Sequence, residues 1–275
     1  MKVNKKQTIL ITGTSTGIGN TTAIYLAELG YKVYASMRKI NSDLFKKYEN
    51  IIPVELIITD LDSIKKCLTT IEKNNDKIDI LINNSGYGEL SPFENTNHKE
   101  IQSMFDVNLF GMLNLTKALL PGFRKQGHGK IINISSVGGR MSYPFYSIYH
   151  STKWAVEGFS ESLYYELAPF NIQVKLIEPG ATKSNFFQLP DQSTRKEGIK
   201  DYENLINKFK SKSIKTFENA IDPREVSKEI YNAIIDTKGK LRFPVGNNKS
   251  KFILFLLKIL PNHFFIKFMK KSLEK

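Results

Sequence analysis

Tyr149 and Lys153 stand four residues apart in the run Tyr149-His150-Ser151-Thr152-Lys153, and Ser136 lies thirteen residues before Tyr149. A phenol, an ammonium and a hydroxyl are the groups needed to move a proton on a carbonyl or an alcohol. Tyrosine alone is a poor base, because an ordinary pKa of about 10 leaves almost no phenolate near neutrality. A neighbouring ammonium favours the phenolate and lowers that pKa. Residues at i and i+4 share one face of a helix, so the spacing sets Lys153 beside Tyr149. Ser136 can then hydrogen-bond the substrate oxygen and orient it. On its own a Tyr-x-x-x-Lys arises often by chance and describes a surface pair, so the reading needs further motifs.

The second motif is a glycine loop, Thr12-Gly13-Thr14-Ser15-Thr16-Gly17-Ile18-Gly19, which follows an apolar run and opens a helical pattern. In that context it reads as a dinucleotide site. Gly13 permits the tight turn, and Gly17 and Gly19 let backbone and helix approach a pyrophosphate facing the helix N-terminus. The spacing differs from the common G-x-G-x-x-G form. NAD sites usually carry an acid at the end of the second strand. Here Met37 occupies that position and Arg38 follows, and an arginine fork pairs with a 2′-phosphate. The expected cofactor is therefore NADP(H), with NAD(H) as the alternative.

Elements that position these groups alternate along the chain. Apolar runs at 7–12, 32–36, 52–58, 78–82, 130–135, 173–177 and 241–245 read as strands. Helical spacing spans 18–29, 62–73, 99–120, 149–167 and 222–235. Thr59 or Asp60 is the candidate cap of the second helix. Pro121-Gly122 is expected to end the third, and Asp222-Pro223 to open the last. Alternation of this kind predicts an α/β fold, a parallel sheet of about seven strands with helices on both faces. Residues 1–249 form the expected catalytic domain. The stretch 181–220, polar and weakly periodic, is the expected substrate lid, and 250–275 is an apolar, basic tail.

Composition narrows the function. With 275 residues and 41% hydrophobic content the chain can bury a large core, and its single cysteine excludes a disulfide framework. Four scattered histidines lack metal-ligand spacing, so no metal is expected. The net charge of +13 comes from dispersed lysines without a nucleic-acid motif, so no nucleic-acid partner is expected either. The N-terminal Met-Lys-Val-Asn-Lys-Lys precedes an apolar stretch too short for a signal sequence. A cytoplasmic protein is expected.

Taken together the motifs resemble the short-chain dehydrogenase/reductase family from residue 7 to about 245. The matching pieces are the glycine loop, Asn83-Asn84-Ser85-Gly86, Asn108, Ser136, Tyr149-x-x-x-Lys153 and Pro179-Gly180. The resemblance implies a Rossmann-like, doubly wound sheet in a single domain, a nicotinamide cofactor touched by Gly13, Ser15, Thr16, Gly17, Ile18, Gly19, Asn84, Ser85 and Gly86, and usually a homodimer or homotetramer. It implies that Lys153 contacts the nicotinamide ribose together with Tyr149, and that Asn108 holds a water relaying protons through Lys153. Pro179 and Gly180 would flank the carboxamide, with Thr182 or Ser184 as its hydroxyl partner. The chain departs from the family at the adenine site, where Ile57 replaces the usual Asp. Backbone near Ile58 is then the expected adenine contact. The alternative functions are a non-catalytic dinucleotide sensor, which has no need of Asn108, Ser136, Tyr149 and Lys153 together, and a membrane-surface-associated module.

Tyr143 and Tyr146 precede the catalytic pair in an aromatic stretch, and Phe186 opens the lid segment. These side chains suggest an apolar pocket for a lipophilic ketone, aldehyde or secondary alcohol, and the likeness to hydroxysteroid and retinol dehydrogenases agrees. The tail 252–269 is too interrupted to span a bilayer. It is expected either to pack over the pocket or a subunit interface, or to lie peripherally on an anionic membrane.

Overall fold

The structure is a computed structural model of the chain. It describes residues 7–74, 76–183 and 199–247, and within the tail 252, 255, 256, 259 and 262–274. Seven strands, β1 (Thr8–Ile11), β2 (Lys32–Met37), β3 (Ile51–Glu55), β4 (Ile80–Asn83), β5 (Gly129–Ile134), β6 (Ile172–Pro179) and β7 (Arg242–Val245), form one parallel sheet in the order β3-β2-β1-β4-β5-β6-β7. The order reverses between β1 and β4, and this is the point at which doubly wound sheets open a crevice for ligands. Central strands are buried on both faces, which explains why they read as continuous apolar runs. Pro53 and Pro244 lie in the two edge strands, where a missing N–H costs no ladder bond.

Helices α1 (Gly17–Glu28) and α7 (Pro223–Ile235) cover one face, burying Ala23, Leu26, Val226 and Ile230 against Ile9, Ile11 and Val33. On the other face lie α2 (Leu61–Lys73), α4 (Gly111–Gln126) and α5 (Ser147–Leu167), which bury Ile64, Leu115, Phe123 and Leu163 against Leu10, Tyr34 and Leu81. Asp60 caps α2, accepting from the backbone N–H groups of Asp62 and Ser63. A buried polar chain ties sheet to helices. Asn83 donates to Asn133 (2.8 Å) and Thr116 (3.1 Å), and Asn133 donates to Ser160 on α5 (2.8 Å). Asn83 Oδ1 has no partner among the described residues, but the three bonds made tie β4 and β5 to α4 and to α5, which carries Tyr149 and Lys153.

Three segments differ from the sequence expectation. The expected helix 99–120 is three pieces: α3 (His98–Phe105), a π-helical turn (Asp106–Phe110) and α4. Pro121 does not end α4, which continues to Gln126 and stops at Gly127, with φ 71°. The residue four before the proline, Lys117, is exposed, so the carbonyl that loses its partner lies on the solvent side of the helix, and Phe123 beyond it is buried. The polar stretch 181–220 contains α6 (Glu203–Glu218). Among its described side chains only Ile206 is buried. The tail contains α8 (Asn262–Glu274).

Candidate active site

The glycine loop joins β1 to α1. Gly13 and Gly17 adopt φ of 70° and 59°, the left-handed region that costs other residues strain. A side chain on Gly19 would place its Cβ 2.3 Å from the Gly13 carbonyl oxygen and 2.4 Å from Asn84 Nδ2. Asn84 also braces the loop, its amide donating to the carbonyls of Thr12 (2.8 Å) and Gly13 (3.1 Å). Thr12 Oγ1 accepts from the N–H groups of Asn84 and Ser85. Thr16 precedes α1 without capping it, so the helix N-terminus keeps donors for an anion. Ser15, Ile18 and Gly86 lie on the same side of the switch point by their places in these two turns.

At the end of β2, Met37 is buried, and its sulfur accepts from the N–H of Asn41 at 3.4 Å, while Arg38 is exposed. Ser36 Oγ is buried with no hydrogen-bond partner among the described residues. A dinucleotide fits these features, with loop glycines and a free helix end for the pyrophosphate and Arg38 for a 2′-phosphate. Ile58 is buried, and its side chain and carbonyl would both lie 2.7 Å from a Cβ placed on Gly111. Thr12, Ile58, Ser85, Asn108, Ile134 and Lys153 converge around a small interior void below the switch point.

Past β5 the chain turns through Ser136. Its hydroxyl accepts from the N–H of Gly138 at 3.0 Å and is hydrogen-bonded to the Tyr149 phenol. Burial pushes the Tyr149 pKa well above its ordinary value, with Ser136 lowering it in part. Lys153, fully enclosed, donates to the Ile134 carbonyl at 2.8 Å, and its nitrogen lies 6.0 Å from the Tyr149 ring centre. Burial brings the lysine down to about 8, opposed by the charge of Glu157. Desolvation dominates the tyrosine here, and the Lys153 ammonium gives its hydrogen bond to a backbone carbonyl.

Asn108 sits in the π-helical turn, a feature that often marks functional positions. Both of its amide hydrogens are committed, to the Tyr87 carbonyl (2.8 Å) and Thr152 Oγ1 (3.2 Å), and its Oδ1 accepts from the Tyr87 N–H (3.0 Å). Thr152 in turn donates to the Tyr149 carbonyl. Pro179 closes β6, and the Gly180 N–H donates to Val245. Thr182 is buried, donates to the Gly180 carbonyl and bridges to Ile221. Ser184 and Phe186 lie outside the described residues.

Tyr146 meets Tyr149 edge-on, with ring centres 6.3 Å apart. Leu90, Met104 and Ile206 complete an apolar cluster around them. Phe209 of α6 packs edge-on against Phe145 and Tyr146, at 5.6 and 6.1 Å. Phe145 holds a φ of 66°, and its carbonyl accepts from Ser91. Non-glycine residues in this region cost energy, and such strain gathers at functional sites.

Sequence reasoning missed His150. The ring is buried, and Nε2 accepts from the Tyr143 N–H at 3.0 Å, so Nδ1 carries the proton and donates to the Gly138 carbonyl at 2.9 Å. Burial lowers its pKa to about 4, with the Gly138 bond opposing. His150 thereby pins both ends of the loop between Ser136 and Tyr146; adjacency to Tyr149 was the available signal. Arg140, on the same loop, is anchored by Glu178 at 3.1 Å. No cluster of metal-ligating side chains occurs among the described residues.

The comparisons place this geometry among known proteins. The family model for short chain dehydrogenases matches residues 7–194. A 3-ketodihydrosphingosine reductase of Bacteroides thetaiotaomicron is 35% identical over 243 residues, covering 87% of this chain and 88% of the relative. A crystal structure of a short-chain dehydrogenase from Streptomyces avermitilis superimposes with a TM-score of 0.82 at 30% identity, covering 93% of each chain. The structure of ElxO with NADP bound gives a TM-score of 0.71 at 25% identity, over 87% of this chain and 97% of that one.

Proposed function

This chain belongs to the short-chain dehydrogenase/reductase family, oxidoreductases acting on CH–OH and C=O groups, and from that premise we propose that it interconverts a lipophilic ketone or aldehyde and its alcohol with NADP(H), Tyr149 serving as general acid and base. The observation that carries this reading is the hydrogen bond between the Ser136 and Tyr149 hydroxyls, with the Lys153 ammonium 6.0 Å from the ring. A bound nicotinamide dinucleotide supplies or accepts the hydride at the substrate carbon.

Tyr149 gives its phenolic proton to the substrate oxygen in reduction and takes one back in oxidation. Burial keeps that proton on the phenol, which suits the acid role. The reverse role needs the phenolate, and Lys153 is the charge placed to support it. Ser136 orients the substrate oxygen through the same hydroxyl that now meets Tyr149. Asn108 holds the start of α5 through Thr152 and retains acceptor capacity at Oδ1, through which a water leading to Lys153 would be held.

Arg38, exposed beyond a buried Met37, supports NADP(H), as does the NADP bound in ElxO. Ile58 backbone is assigned to adenine, and Thr182 or Ser184 to the carboxamide. Tyr143, Tyr146 and Phe186 are assigned to the substrate. The apolar cluster of Leu90, Met104, Tyr146 and Ile206 supports a lipophilic substrate, and the relative named as a reductase of 3-ketodihydrosphingosine points the same way. Residues 1–249 make up the catalytic unit in this reading, with assembly as a homodimer or homotetramer. Among the described residues no helix is long and apolar enough to cross a membrane.

The test is turnover of a panel of apolar ketones, aldehydes and secondary alcohols with NADPH/NADP⁺ and NADH/NAD⁺ side by side. Turnover favouring the phosphorylated cofactor is expected. Cofactor binding without turnover of any compound would move the chain to the sensor reading.

A further inference from the structure

Five large apolar side chains of the tail face water. Phe252, Phe255 and Ile259, with Phe264 and Ile266 of α8, are each more than half exposed. Single exposed apolar residues are ordinary, but these are ordered. Phe252, Phe255 and Ile259 are helical and stand three and seven residues apart, so they share one face. On α8, Lys267, Lys270 and Lys271 are all exposed at helical spacing, with Phe264 and Ile266 at the margins of their strip. Residues 251–275 hold six lysines against one glutamate.

Apolar anchors beside lysines, whose long stems lift the ammonium to headgroup level, match an anionic lipid surface. The centre of a protein–protein contact is instead depleted in lysine, so the composition favours lipid over a second copy of the chain. Helix α8 packs against α6. Ile206 and Phe209 of α6 also join the aromatic cluster over Tyr149.

We propose that the tail docks on an anionic lipid surface through Phe252, Phe255, Ile259 and the Lys267, Lys270 and Lys271 strip, so that α6, the cover of the active site, stands next to that surface and an apolar substrate enters from it. The docking stands on the tail alone; only the entry route rests on the lipophilic-substrate reading above.

The experiment mixes the full chain with phosphatidylcholine vesicles with and without phosphatidylglycerol, and measures partition by flotation. Two triple variants accompany it: Phe252→Ser with Phe255→Ser and Ile259→Ser, which leaves the charge unchanged, and Lys267→Gln with Lys270→Gln and Lys271→Gln. Binding to phosphatidylglycerol vesicles is expected to fall about tenfold or more in each, while turnover of a small water-soluble carbonyl stays as in the parent. A long-chain ketone dissolved in the vesicles is expected to lose turnover in both variants. Absence of binding by the parent would overturn the docking. So would unchanged binding of the serine variant, which would leave only the general positive charge at work. A mass that doubles with concentration in light scattering, and no longer does so in the serine variant, would give the face to a second copy and overturn the proposal. Vesicle binding with no turnover of any carbonyl would sink the reductase reading and leave the docking standing. Equal turnover of the vesicle-borne ketone by parent and variants would overturn the entry route alone.

Discussion

Lys153 carries its ammonium to 6.0 Å from the centre of the Tyr149 ring and gives its hydrogen bond to the Ile134 carbonyl, 2.8 Å away. The charge is thus enclosed beside the tyrosine at a cost in solvation, which its lowered pKa of about 8 records. Replacing a buried charge by an apolar side chain of similar volume is often neutral or stabilising. Lys153→Met is therefore expected to leave thermal stability equal or higher while kcat/KM falls by about a hundredfold or more. Thermal melts and steady-state kinetics on the same preparation check both halves. A destabilised variant that keeps its activity would oppose the account.

Arg38 is exposed directly beyond β2, and Met37 is committed to the core. An aspartate at Met37 would be buried, so Arg38→Ala is the cleaner probe of cofactor choice. Loss of a charge-assisted bond to a 2′-phosphate is worth about 1.5–3 kcal/mol. The KM for NADPH is expected to rise about ten- to a hundredfold, with that for NADH little changed. Equal changes for both would show that Arg38 does not read the phosphate.

Gly19 has no room for a side chain, since a Cβ there meets the Gly13 carbonyl oxygen at 2.3 Å. Gly19→Ala is expected to push the loop away from α1 and Asn84, at about 1–3 kcal/mol of stability. Dinucleotide affinity, read by fluorescence titration, should drop with it. Unaltered affinity would separate the loop from the cofactor.

His150 is neutral in the folded chain, with a pKa of about 4 against an ordinary 6.5. Between these values the unfolded chain binds a proton that the native state refuses. Stability contributed by His150 is present above about pH 6.5 and is lost as pH falls toward 4, at up to about 1.4 kcal/mol per pH unit. His150→Asn keeps a donor for Gly138 and loses the acceptor for Tyr143. Denaturant midpoints across this window should show a shallower slope, and kcat/KM should fall about tenfold as the Ser136 loop shifts. An unchanged slope would remove His150 from that role.

Much of this fold was legible because parallel strands buried on both faces, such as Ile80–Asn83, leave uninterrupted apolar runs, and their helices leave regular spacing. Asn108 was noticed as a polar residue in an apolar stretch, but nothing in its neighbours announced the π-helical turn that inserts it between Tyr87 and Thr152. Pro121 misled because its cost depends on whether Lys117 faces water, which is a tertiary fact. Helix α6 was harder to see because the polar stretch before it read as one loop; its Ile206 and Phe209, three residues apart, face the aromatic cluster. The spacing of Tyr149 and Lys153 gave their proximity, while the direction of the ammonium and the net rise of the tyrosine depend on burial that spacing does not encode.

The central claim is that the Tyr149 hydroxyl moves the proton. Tyr149→Phe deletes that one oxygen and keeps the ring that packs on Tyr146. With a substrate identified, the rate of NADPH oxidation under single-turnover conditions tests it most directly. The account predicts a fall of about 10²–10⁴-fold with NADPH affinity unchanged, and a rate equal to that of the parent would contradict it.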